Sequence, residues 1–214
     1  MDATAFLESV RASNATELDR LGSEKALVAE TAARLDADHV LDAAAAAEAR
    51  AAETLDSWAD DEPTDRAAAF RTAAEREREH YRRIAELGGS AEEPPADALH
   101  EHLRGLEGTL PRVAAGLVAR PLVASRTLLQ VINFFVNEGD TAAAEAFREL
   151  RAETDAAAER GATLLVDLEG WDSDSDSDPD SEAATAAASE AIGAAYDEYA
   201  DTLEGMGVDP KPVC

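Results

Sequence analysis

Residues Glu75-Arg76-Glu77-Arg78-Glu79-His80-Tyr81 lie in a helical stretch, about 64 to 87, that decides the fold. Along this stretch one face repeats every three or four residues, and it carries a carboxylate and an imidazole among apolar side chains: Phe70, Ala73, Glu77, His80, Ile84 and Leu87. This spacing is typical of the inward face of a helix in a bundle. An inward Glu is costly without a partner, and a metal ion is one such partner. The stretch therefore predicts a buried helix face that can ligate a metal.

A second helix, predicted over about 37 to 61, carries a matching face. Its inward positions are Leu41, Ala44, Glu48, Ala51, Leu55 and Trp58, again with one carboxylate in the middle. Alanine is the best helix former, so the Ala-rich composition favours a helix here. The two helices are expected to form a hairpin that brings Glu48 together with Glu77 and His80 in its interior.

The hairpin has a counterpart 77 residues further along the chain. Trp58 matches Phe135, and Phe70 matches Phe147 at the same offset. We expect Trp58 and Phe135 to be paired anchors at one end of the bundle. The second hairpin is predicted at 122–137 and 140–168, after an apolar segment that Pro111 and Pro121 bound. Its first helix has the predicted inward face Leu122, Ser125, Leu129, Ile132 and Val136.

Two facing hairpins joined by a long crossover make a four-helix bundle. No stretch shows strand alternation of useful length, so the chain is predicted to be all-α. Additional helices are expected at both termini. The predicted division is an N-terminal helical segment at 1–36, the bundle at 37–168, an acidic Ser/Asp loop at 169–181, and a C-terminal helix and tail at 182–214.

Glu48 on the first helix and Glu77-x-x-His80 on the second resemble the ferritin-like superfamily, its rubrerythrin-type members most. The resemblance covers about residues 37 to 168. It implies a carboxylate-bridged pair of iron ions that reacts with peroxide or dioxygen, with Glu48, Glu77 and His80 among the metal ligands.

The chain departs from this family in its second half. At the offset of 77 residues, Glu48 meets Ser125, Glu77 meets Thr154 and His80 meets Ala157, none of which is a metal ligand of that kind. Glu138, Glu149 and Glu153 are near in sequence but off the predicted inward face. The four cysteines of a rubredoxin-type domain are absent from the sequence. At most half of the di-iron site is retained, so one ion or none is expected.

Three functions stay open at this point. The first is an iron-dependent oxidoreductase or peroxidase, which would need a redox partner. The second is a protein that holds one ion per chain, iron first and Mn or Zn as alternatives, and handles iron without sustained turnover. The third is a metal-free ferritin-like scaffold for homodimerisation or partner binding, in which the buried carboxylates bond each other, Arg76 or water. Whether the protein is an enzyme is left open.

The composition restricts the partners. The formal net charge is −27, and only two of the 19 basic residues are lysine. Such a surface repels nucleic acid and anionic membrane. Near-absence of Lys beside abundant Asp and Glu favours a halophilic protein, with an ordinary acidic protein as the alternative. No apolar run reaches transmembrane length and no signal peptide is recognised, so a cytoplasmic location is expected.

The remaining histidines and the single cysteine are not expected to form a site. His39, His100 and His102 are expected to be exposed or at helix ends. His100 and His102 cannot share one helix face, which disfavours them as a joint site. One cysteine, Cys214, excludes an internal disulfide and a Cys-x-x-Cys metal knuckle.

Overall fold

The computed structural model describes residues 1–91, 96–168, 171 and 179–211, with no side-chain description at residues 64 and 65. Every regular element in this part of the chain is helical, so the all-α prediction is confirmed. The helices are α1 (Ala3–Ser13), α2 (Ala15–Leu21), α3 (Lys25–Glu30), α4 (Ala37–Asp61), α5 (Thr64–Glu86), α6 (Ala98–Arg104), α7 (Thr109–Arg112), a π-helical segment (Val113–Ala119), α8 (Arg120–Glu138), α9 (Thr141–Val166) and α10 (Pro179–Gly205).

Helices α4 and α5 form the predicted first hairpin, and local chemistry fixes its ends. The Asp36 carboxylate accepts the backbone N–H of His39 at 3.1 Å and caps α4. Helix α5 ends just before Gly88, which has a φ of +109° that favours glycine. Between the two helices the rings of Trp58 and Phe70 meet edge to face, with centroids 5.5 Å apart.

Helices α8 and α9 form the second hairpin in the same way. Gly139 turns the chain with a φ of +78°, and the Asp140 carboxylate accepts the N–H of Ala143 at 2.9 Å. Phe135 and Phe147 stack with centroids 5.6 Å apart. Because Phe135 takes the buried position, Val136 is 49% exposed. The prediction that Val136 lies on the inward face is therefore wrong by one residue.

The two hairpins pack against each other in a shared core, but the turn of one does not contact the turn of the other. Phe135 packs in one cluster with Val40 and Leu41 from the start of α4 and Ile84 from the end of α5. Trp58 belongs to a different cluster, with the π-helical segment and α10. The expectation that Trp58 and Phe135 pair at one end is therefore wrong, because each pairs with the phenylalanine of its own hairpin.

Helix α7, the π-helical segment and α8 form one continuous helix of 30 residues, Thr109–Glu138. The predicted break at Pro121 does not occur. A proline lacks an N–H and its ring crowds the carbonyl four residues back. The wider π-helical turn precedes it, and the N–H of Arg120 already donates five residues back, to Ala115.

This long helix also corrects the expectation that no apolar run reaches transmembrane length. By length and composition alone it is long and apolar enough to cross a membrane. In the folded protein 72% of the window that meets this criterion is buried. A core helix passes the same test, and this degree of burial fits a core helix.

The flanking helices cover the two hairpins. The N-terminal segment forms three helices, and the first two are separated at Asn14, whose side-chain amide donates to the Val10 carbonyl at 2.8 Å. Helix α10 buries Ile192, Tyr199 and Leu203 against the rest of the molecule. Of the predicted acidic loop at 169–181, only Trp171 and the start of α10 are described, and Cys214 lies outside the described residues.

Candidate metal centre

Helices α4 and α5 bring Glu48, Glu77 and His80 together, as the sequence predicted. The three side chains, hereafter the trio, offer ligand atoms that all lie within 4.8 Å of one another. They are buried, with residue exposures of 5%, 3% and 0%. Two carboxylates and an imidazole converging in a buried space can hold a metal ion.

His80 faces two sides of this space with its two ring nitrogens. Nδ1 lies 3.7 Å from Oε2 of Glu48 and 3.7 Å from Oε2 of Glu77, and it has no hydrogen-bond partner among the described residues. Nε2 lies 3.1 Å from Oε2 of Glu153. A proton on Nε2 would be donated to Glu153, which leaves the Nδ1 lone pair directed toward the carboxylates. Metal-ligating histidines are usually held by a carboxylate on their second nitrogen in this way.

Glu153 was expected to lie off the inward face, and its side chain is indeed 45% exposed. Its carboxylate nevertheless reaches inward to His80, while Arg83 donates to its other oxygen at 2.8 Å. Arg83 also donates to Glu149 at 2.8 Å, which fixes the orientation of the guanidinium. In the sequence, only the position of Glu153 pointed to a role at this centre. Glu153 directly precedes Thr154, the repeat counterpart of Glu77.

Arg120 is the second residue that sequence reasoning missed. It lies at the start of α8, is 5% exposed, and donates from NH2 to Oε1 of Glu77 at 2.6 Å. For the metal-free state, Arg76 was predicted to be the arginine that bonds the buried carboxylates. That prediction was wrong, because the arginine that contacts Glu77 is Arg120. An arginine inside a strongly apolar stretch was the available signal, because a buried guanidinium requires a carboxylate partner.

The charges of the trio are coupled. Burial raises the pKa of Glu77 to about 7, against the lowering effect of Arg120, and Glu48 adds to the rise. Burial also acts to raise the pKa of Glu48, but the neighbouring His80 and Glu77 side chains outweigh it and the pKa is lowered. Burial acts to lower the pKa of His80, but the Glu48 carboxylate outweighs it and the pKa is raised. Without a cation the trio therefore holds protons that a metal would displace.

The repeat counterparts lie buried in the second hairpin without forming a ligand set. Ser125 Oγ accepts from Arg151 Nε at 3.1 Å, and Thr154 Oγ1 donates to the Leu150 carbonyl at 2.9 Å. Ala157 is 7% exposed and offers only a methyl group. Among the described residues the trio is the one group of this kind that can hold a metal ion.

Two of the other histidines, His39 and His100, differ in how far they are buried. His39 is partly exposed in the first turn of α4, with Nδ1 2.7 Å from Asp36, as expected for a helix end. His100 lies in the first turn of α6 and its Nδ1 is 2.8 Å from Asp97, but the residue is only 4% exposed. Its burial was not expected from the sequence.

The donor set of the trio suits Fe, Mn or Zn, and the unpartnered His80 Nδ1 is the atom that such an ion would satisfy. Comparisons with protein-family models, with curated proteins and with solved structures found no match for this chain.

Proposed function

We propose that this protein is a ferritin-like metalloprotein that holds one divalent ion on Glu48, Glu77 and His80. The observation that carries the proposal is the state of His80. Its Nδ1 is buried without a partner and faces two carboxylates, while its Nε2 meets a third. A buried polar atom left unpaired costs free energy, and a metal ion is the partner that this arrangement accommodates.

Iron is the first candidate, and Mn and Zn fit the same donors. Three protein ligands leave coordination positions for water or a small oxygen ligand. The proposed role is iron handling, or a reaction with oxygen or peroxide that one ion supports. Sustained redox turnover would need an external redox partner, and the proposal does not require the protein to be an enzyme.

Elemental analysis of protein purified without chelator tests the proposal. We expect one ion per chain in the wild type and none in His80→Ala. His39→Ala is the matched control, because it removes a partly exposed imidazole outside the trio, and it should keep the ion. Two ions per chain would support a complete di-iron oxidoreductase instead, and absence of metal from the wild type, even after dialysis against Fe(II), Mn(II) or Zn(II), would refute the proposal.

A metal-free ferritin-like scaffold is the second candidate, and one observation favours it. Arg120 already compensates Glu77 through a buried ion pair at 2.6 Å. Such a protein would act through homodimerisation or partner binding. It would purify without metal as a stable dimer or complex, and His80→Ala would leave that assembly intact.

A further inference from the structure

A partly enclosed cavity of about 620 Å³ runs between α4 and α8, with residues of α3, α6 and α10 around it. Its volume falls in the range of about 300–1,000 Å³ typical of small-molecule sites. The α8 residues that line it recur every three or four positions, so they form one face of that helix: Arg120, Val123, Ala124, Thr127, Leu128 and Val131. From Arg120 to Val131 this face is about 16 Å long, at a rise of about 1.5 Å per residue.

Alanines keep the cavity open on the α4 side. Ala43, Ala44, Ala46 and Ala47 all line it, and each of them is half-buried. A methyl side chain reaches only one carbon beyond the backbone, so these residues fill little of the space between the helices. Such a surface accepts hydrocarbon but does not orient a ligand, which is the task of polar groups.

The cavity reaches the metal centre at Glu48 and Arg120. Both residues line it, although each is only 5% exposed. Glu77 and His80 do not line it, and their side chains are 3% and 1% exposed, against 7% for that of Glu48. A molecule in the cavity would therefore approach the trio from the side of Glu48.

The guanidinium of Arg120 has a hydrogen-bond donor left at this end of the cavity. Its NH2 donates to Glu77 at 2.6 Å. Its NH1 makes no hydrogen bond with a described residue and, unlike its Nε, is not fully buried. Because a guanidinium has donors only, NH1 is satisfied by an acceptor atom that enters the cavity. Arg120 is thus a polar group that can orient a ligand beside Glu48.

The charges around the cavity favour an uncharged acceptor. An ammonium group offers only donors, so it cannot accept from Arg120. A carboxylate would be repelled, since five acidic residues line the cavity against three arginines. Of those arginines, Arg50 and Arg120 are already paired with Asp97 and Glu77. A carbonyl oxygen accepts a hydrogen bond without carrying a charge and avoids both conflicts.

We propose that this cavity binds a small uncharged carbonyl compound, with its oxygen on Arg120 NH1 beside Glu48. Its hydrocarbon part would lie along the alanines of α4 and the apolar part of the α8 face. The inference rests on the proposed function where it makes this compound the molecule that meets the ion, at a coordination position that three protein ligands leave open. The binding itself uses only the chain's own residues and needs no metal.

A nuclear magnetic resonance titration of the metal-free, isotope-labelled, full-length protein tests the binding. The probes are butanamide, butanoate and butylammonium, which are similar in size and differ in charge, compared at neutral pH and one fixed ionic strength. We expect butanamide alone to give saturable shifts, with one molecule per chain, at the backbone amides around Ala47 and Ala124. Failure of butanamide to saturate, or equally tight binding of either charged probe, would overturn the proposal.

Ala47 and Ala49 provide a matched pair of variants. They flank Glu48 and are both half-buried, but only Ala47 lines the cavity. Ala47→Leu should weaken butanamide binding about tenfold or more because it fills the cavity, and Ala49→Leu should change it less than about twofold. Equal weakening by the two variants would refute the site.

A second pair tests the donor. Arg120→Met removes NH1 and should weaken butanamide binding about fivefold, the worth of one hydrogen bond. Arg126→Met removes a guanidinium from the same helix outside the cavity and should leave the affinity unchanged. If Arg120→Met binds butanamide as tightly as Arg126→Met does, the oxygen is not on Arg120 and the proposal is wrong.

This test and that of the metal centre fail separately. Binding of butanamide by a protein that takes up no metal would refute the proposed function and leave the carbonyl site in place. One ion per chain without butanamide binding would refute the carbonyl site and leave the metal centre in place.

Discussion

Replacing Arg120 with methionine tests how far its positive charge compensates the buried carboxylates of the metal centre. Met keeps an unbranched side chain of similar length in an apolar helix but removes the guanidinium that donates to Glu77 at 2.6 Å. Removing one partner of a buried ion pair costs about 3–5 kcal/mol, because the remaining charge is left uncompensated. Protonation of Glu77 limits this cost, so we expect the lower end, about 3 kcal/mol.

For a chain of this size a loss of about 1 kcal/mol lowers the melting temperature by roughly 2–4 °C, so Arg120→Met should melt roughly 6–12 °C below wild type. A divalent ion can then replace the lost positive charge. At a concentration 100 times its dissociation constant, an ion that binds only the folded state adds about 2.7 kcal/mol. Mn(II) should therefore stabilise Arg120→Met more than it stabilises the wild type.

Scanning calorimetry of the metal-free proteins, with and without Mn(II), measures both effects. Arg126→Met is the matched control, because Arg126 lies on the same helix and makes only a loose exposed contact, 3.9 Å from Asp19. It should cost less than about 1 kcal/mol and leave the Mn(II) response unchanged. If Arg120→Met matches Arg126→Met in melting temperature and in Mn(II) response, the argued role of Arg120 is wrong.

Three further predictions address other parts of the molecule. Because Glu77 has a pKa of about 7 when folded and 4.5 as its ordinary value, the folded state retains a proton that the unfolded state releases. Its contribution to stability is present below pH 4.5 and lost as the pH rises through 7, so urea titrations should show Glu77→Gln gaining stability relative to wild type across that window; a constant difference would contradict the assignment. With a net charge of −27, the protein should melt at a lower temperature as KCl is diluted from molar concentration, and equal melting temperatures would count against a halophilic protein. A Cβ on Gly161 would lie 2.1 Å from the Leu117 carbonyl oxygen, whereas one on Gly193 meets nothing within 4 Å. Gly161→Ala should therefore destabilise by about 1–3 kcal/mol in thermal melts while Gly193→Ala does not, and equal effects would refute the close approach.

The helices and the trio were predictable from sequence because both depend on local spacing. Periodicity and caps placed α4 at the residues where it is found and α5 within one residue at each end. The same register put Glu48, Glu77 and His80 on buried faces. A helix face is determined by the sequence positions along that helix, so no knowledge of its neighbours was needed.

Arg120 and Glu153 could not be predicted in the same way, because their roles depend on how one hairpin lies against the other. Arg120 reaches Glu77 across 43 residues of sequence, and Glu153 reaches His80 across 73. A long side chain can also reach a site from a position off the inward face, as Glu153 does while 45% exposed. The periodicity of the sequence does not identify such residues.

These two residues explain how the second hairpin takes part in the site without supplying ligands from the repeat positions. Glu153 orients His80, and Arg120 supplies positive charge beside Glu77. The carboxylates joined through close charged contacts to His80, Arg83 or Arg120 are Glu48, Glu77, Glu149 and Glu153, and the two arginines of this set are Arg83 and Arg120.

With all four carboxylates ionised and His80 neutral, this set carries two negative charges in excess. One divalent ion would balance them, whereas a second would leave two positive charges in excess. The three ligand residues of the trio and the charges around them thus both favour the proposed stoichiometry of one ion per chain. Ser125, Thr154 and Ala157 supply no second set of Glu and His ligands, and Arg120 already places a positive charge beside Glu77.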